Sequence, residues 1–97
     1  MAEFVGTALL VYMSCGASVS ASILFPGMTP ARIMCEALAT GGAYIFLMYS
    51  ITTISGGLLN PAVTFALAIT GKVGIITAFF YFVAQVVGGV VGAGLLR

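Results

Sequence analysis

Histidine and aspartate are absent, and the 97-residue chain carries only three basic and two acidic side chains: Arg32, Lys72, Arg97, Glu3 and Glu36. Without histidine the chain lacks the commonest metal ligand and general base. No nucleophile stands beside a base either, so no enzyme activity, metal or cofactor is expected. Charged residues make up 5 % of the sequence, against about 25 % in a soluble domain whose surface faces water. The apolar side chains therefore need lipid around them, which makes the chain a multi-pass integral membrane protein in the lipid bilayer. A net charge of +1 gives no reason to expect nucleic acid. Cys15 and Cys35 lie in apolar runs, lack disulfide or metal spacing, and read as buried free thiols. Glu3 stands where a signal peptide would carry positive charge, so none is expected.

What is present is long apolar runs, over about residues 3–25, 31–54 and 73–96. Each approaches the ~20 residues needed to cross ~30 Å of hydrocarbon at ~1.5 Å per residue. Pro26-Gly27 closes the first run as a turn pair. The segment at about residues 55–70 is different. Ser55-Gly56-Gly57-Leu58-Leu59-Asn60-Pro61 is glycine-rich, and the nine residues from Ala62 to Thr70 read as a short helix closed by Gly71-Lys72. Such a helix is roughly 15 Å long, half a span. Irregular backbone at membrane depth survives only against protein or a water-filled cavity. The expected fold is all-α and transmembrane: three membrane-spanning helices plus one re-entrant half-helix, in a single half-domain over 1–97 with no soluble domain. Ala84, Gly88 and Gly92, and likewise Ser14, Ser18 and Ser22, repeat at four-residue spacing and mark close helix packing. No internal repeat is visible.

Asn60-Pro61-Ala62 opens the half-helix. Asparagine is a favoured N-cap whose side-chain oxygen accepts a backbone N–H two or three residues on, and proline suits the first helical position. On its own this is a well-made helix start. At membrane depth it does more. The helix points its positive dipole end into its surroundings, and the cap leaves the asparagine NH₂ donors free. Water there must accept, which orients it and breaks a proton wire, while the dipole repels cations. The carbonyls of Gly56, Gly57 and Leu58 supply acceptors beside those donors. Arg32, Glu36, Thr40 and Tyr44, spaced by four, share one face of the second helix. Arg32 and Glu36 are either a pore mouth or an interfacial pair, and Thr40, deeper, is expected to face a cavity. Glu3 is either an interfacial charge or support for the loop, accepting N–H groups otherwise unsatisfied in lipid. Gln85, among apolar residues, reads as an inter-helix hydrogen bond ahead of a solute contact.

Three groups of residues are similar to the aquaporin, or major intrinsic protein, family. They are Ala2-Glu3-Phe4-Val5-Gly6-Thr7; Ser55-Gly56 followed by Asn60-Pro61-Ala62-Val63-Thr64; and Tyr81 with Ala84-Gln85 and Gly88. In order, they span nearly the whole chain and resemble the first half of such a channel. The resemblance implies a six-helix fold of two inverted halves, with two half-helices meeting tip to tip in mid-membrane. It implies homotetramers with one pore per protomer, water or small neutral solutes as cargo, and protons and ions excluded. It makes Asn60 one of two pore asparagines, Glu3 the buttress of the loop, and Thr40 part of the outer filter. The chain departs from the pattern at Thr40, where the family usually has an aromatic and where threonine implies a wider or more polar constriction. It departs also at Leu58, often histidine, and at Thr77, commonly basic.

A second half is not in this sequence, so the 97 residues are expected to be a fragment of a longer channel. Basic groups nevertheless nearly balance, with Lys72 and the amino terminus on one side and Arg32 and Arg97 on the other. Orientation follows that bias, so an inverted copy of the chain is a further candidate partner; it would present Val63 where the family's second half has arginine. Two rival readings stand beside the channel. One is a small ion- or proton-coupled transporter, disfavoured because Glu3 and Glu36 lie near helix ends. The other is a non-conducting packing subunit, which leaves the capped half-helix unexplained.

Overall fold

The computed structural model describes residues 2–96, with the backbone alone at position 55. Met1 and Arg97, which enter the expected charge balance, lie outside the described residues. Four helices follow in order: α1 (Ala2–Leu24), α2 (Thr29–Ser55), α3 (Pro61–Ile69) and α4 (Ile75–Leu95). Three of them are long and apolar enough to cross a membrane, and α3, with nine residues, is not. Together with the half-length α3 they give an all-helical architecture.

Local chemistry sets the ends. Past α1, Pro26 cannot continue the helix and Gly27 takes φ 76°, so the chain reverses. Pro30 then falls in the first turn of α2, where its missing N–H has no partner to lose. The helix thus begins ahead of the proline rather than after it. Gly56 closes α2 in the left-handed conformation at φ 92°, its N–H returning to the Thr52 carbonyl at 2.9 Å. That is a glycine C-terminal stop.

Helix α1 lies between α2 and α4, and α3 leans on α4. The α1–α4 seam is close because two glycines remove side chains from it. A Cβ at Gly88 would stand 2.5 Å from the Phe4 carbonyl oxygen, and one at Gly92 would collide with the Ala8 carbonyl. The apolar core is small: Leu10, Leu47 and Leu59, flanked by Ala43, Tyr44 and Ile51. Large apolar side chains elsewhere, such as Ile33, Leu38, Phe46 and Phe80, are exposed. The radius of gyration, 14.6 Å, exceeds the ~13 Å of a compact chain of about 100 residues. The long dimension of 46 Å matches ~40–45 Å of bilayer with its headgroups. One expectation is corrected: the cysteines are not buried, since Cys35 is exposed and Cys15 half-buried. Cys35 lies on α2 beside other exposed side chains, Ile33, Met34 and Leu38.

Candidate functional site: the capped half-helix and its groove

The loop from Gly56 to Asn60 leaves α2 and turns into α3 through three left-handed residues: Gly56, Gly57 at φ 65° and Leu59 at φ 56°. The glycines adopt this conformation freely. Leucine does so at a cost, and it is held there from two directions. Its side chain, 2 % exposed, fills the core between Leu10 and Leu47. Its N–H donates to Glu3 Oε1 at 2.8 Å, and the Leu58 N–H donates to Oε2 at 3.2 Å.

Glu3 is itself 2 % exposed and receives a third donor, Gln85 Nε2, at 2.6 Å. The carboxylate orients the amide, because only its NH₂ end can face an acceptor. Gln85 Oε1 is thereby turned towards α3, where the Thr64 hydroxyl lies 2.9 Å away. The Thr64 hydroxyl oxygen also lies 3.0 Å from the Asn60 carbonyl oxygen, so its single proton serves one acceptor or is shared. The loop at Leu58 and Leu59, α1, α4 and α3 are thus tied by one buried network. Each buried polar group in it has a partner, as low-dielectric surroundings demand.

At the tip of α3, Asn60 has extended backbone (φ −150°) and its Oδ1 accepts the Ala62 N–H at 2.8 Å. Pro61 follows in the first turn. The cap spends the oxygen and leaves the amide donors. Asn60 borders an open groove of about 650 Å³ between α1, α2, α4 and the loop, whose polar lining also includes Thr7, Ser14, Thr40, Tyr44 and Gln85. No charged side chain lines this groove among the described residues.

Of the residues singled out from the sequence, Thr40, Asn60, Pro61 and Gln85 meet in this groove. Glu3 lies behind it, under the loop. Gly56, Gly57, Leu58 and Ala62 contribute no wall to it. Gly57 instead packs on α2, where a Cβ would stand 3.0 Å from the Met48 carbonyl oxygen. The Leu58 carbonyl is already engaged, accepting the Tyr44 hydroxyl at 2.9 Å. Glu36 borders a neighbouring groove with Ser14 and Thr40, Arg32 borders neither, and no ion pair joins Arg32 to Glu36 among the described residues. Residues with roles the sequence did not assign are Ser14, whose hydroxyl pairs with Thr40 at 2.8 Å, and Thr64. A signal for Thr64 existed: it is the polar residue one turn after Asn60 on an otherwise apolar helix.

Three apolar spans and a half-length helix packed on α4 define a multi-pass integral membrane protein. The family model "Major intrinsic protein" matches residues 1–97, and the chain belongs to that family. It is 43 % identical over 97 % of its length to "Aquaporin A" of Dictyostelium discoideum. It is 36 % identical over its whole length to "Probable aquaporin TIP2-2" of Oryza sativa subsp. japonica, and 39 % identical to "Aquaporin TIP2-3" of Zea mays. The chain spans 33 % to 40 % of the length of these relatives. No solved structure matches it.

Proposed function

We propose that the chain forms one half of a passive pore for water and small neutral, glycerol-like solutes, excluding ions and protons. The observation that carries this is the Asn60 cap. With Oδ1 engaged by the Ala62 N–H at 2.8 Å, the side chain keeps its NH₂ donors uncommitted to the cap, at the positive end of a helix and beside an uncharged groove. A passing water accepts from Asn60 and cannot relay a proton through it, and cations meet the dipole. Thr40 sits in the same groove, and Glu3, itself bonded by Gln85, keeps the loop in register from behind. The groove is open, so the reading needs a second half to close it, either the rest of a longer chain or an inverted copy. Complete protomers then assemble as homotetramers. No catalytic step is assigned. The coupled-transport alternative finds less support, because Glu3 is committed to three donors.

The test is stopped-flow osmotic shrinkage of vesicles carrying the chain, with Asn60→Asp as the control. Aspartate keeps an oxygen for the cap but has no NH₂. Fast shrinkage in the parent and loss of it in the variant, with helix content unchanged, is the expected outcome where an inverted copy closes the groove; shrinkage no faster than in empty vesicles would leave the closing half to the rest of a longer chain. Equal shrinkage in both would remove Asn60 from the pathway.

A further inference from the structure

We propose that Tyr44 is a specificity-determining residue of this pore, narrowing the path between Thr40 and Asn60 and masking the Leu58 carbonyl against donor-rich solutes. The proposal rests on the channel reading above and adds the class of solute the pore disfavours: neutral molecules larger than water with several hydrogen-bond donors, such as polyols.

Three observations converge on Tyr44. It stands one turn after Thr40 on α2, so the two share a face, and both line the larger groove with Asn60. Its ring is half-buried against the Leu10–Leu47–Leu59 core, which fixes where it can lie. Its hydroxyl crosses from α2 to the loop and donates to the Leu58 carbonyl at 2.9 Å.

Two consequences follow. The bond withdraws a lone pair of Leu58, the residue two before Asn60, from whatever passes the asparagine. A water moving past the Asn60 donors needs few acceptors at once. A polyol needs several at matched spacing, and an unmatched buried donor is costly. The phenol also fills volume one turn beyond Thr40, where the wall is a small hydroxyl pair of Ser14 and Thr40; Tyr44 lines the same groove. A path lined by small hydroxyls at Thr40 is therefore narrower and poorer in acceptors at Tyr44.

The same hydroxyl braces the loop, so the competing explanation is a purely structural one. A bracing residue changes every permeability together, whereas a specificity residue changes their ratio. Water and glycerol permeabilities are measured in vesicles carrying the parent chain, Tyr44→Phe or Tyr44→Val. Phenylalanine keeps the ring and frees the carbonyl, and the glycerol-to-water ratio is expected to rise about fivefold, the scale of one neutral hydrogen bond. Valine also removes the ring, and the ratio should rise further. Unchanged ratios, or water and glycerol fluxes falling in parallel, overturn the proposal.

A second readout does not depend on transport. In chain labelled with ¹³C-carbonyl leucine, the difference infrared spectrum of Tyr44→Phe should show one amide I component moving to higher frequency, and glycerol should return it. In the parent, glycerol should leave that component in place. No shift in the variant, or the same glycerol response in both, overturns the masking of Leu58. If parent vesicles conduct nothing, the pore reading fails for the chain by itself and the specificity role of Tyr44 fails with it, while the infrared result decides separately whether the hydroxyl masks Leu58.

Discussion

Glu3 has two carboxylate oxygens, and the Leu58 N–H, the Leu59 N–H and the Gln85 amide all donate to them. An amide at this position keeps the shape but offers one oxygen and brings two donors of its own. Glu3→Gln therefore leaves buried donors facing each other, and about 1–3 kcal/mol of stability should be lost. Unfolding in mixed micelles measures this, and faster hydrogen exchange at the Leu58 and Leu59 amides would locate the loss. An unchanged midpoint would mean the loop is held by its other contacts. Thr64→Val is the milder test of the same network. It preserves volume and removes one hydroxyl, so roughly 1 kcal/mol is expected.

At the scale of elements, the α1–α4 seam depends on Gly88 and Gly92. Two effects oppose each other when either becomes alanine. Helix propensity gains up to ~1 kcal/mol, while the new Cβ meets the Phe4 or Ala8 backbone carbonyl, which cannot swing aside as a side chain could. Overpacking of this kind costs about 1–3 kcal/mol. Clash is expected to win, so Gly88→Ala and Gly92→Ala should each lower the unfolding midpoint in mixed micelles. A raised midpoint would show that the helices separate easily. Leu59 poses a similar contest in the re-entrant loop. Glycine there relieves a left-handed φ of 56° worth ~1 kcal/mol, but empties a core site. Large-to-small changes at such sites cost about 2–5 kcal/mol, so Leu59→Gly is also expected to destabilise.

For the whole molecule, the exposed faces of α2 and α4 must meet lipid or another protein surface, and the groove at Asn60 stays open on one side. Partnership with an inverted copy requires the chain to insert both ways. In a background with Cys15 and Cys35 replaced by alanine, Lys72→Cys should then react with a membrane-impermeant maleimide from both faces of the membrane. Labelling from one face alone would mean a fixed orientation and would leave the closing half to a different segment of chain.

The amino-acid order alone determined the three spans, the half-length helix and the Asn60 cap. These are local properties: a run of apolar residues either is or is not long enough, and a cap joins Oδ1 to an N–H two residues away. Glu3 as loop support was legible only as a choice between readings, and Thr40 was expected to face a cavity without anything to say what lines it. A helix face restricts where a side chain points, but not what stands opposite. Tertiary structure decided the partners. The Glu3–Gln85 contact closes across 82 positions, the Tyr44 hydroxyl finds a carbonyl 14 positions on, and Ser14 meets Thr40 across 26. Such distances collapse only when the helices pack, and how closely they pack was set by two glycines lying against the α1 backbone.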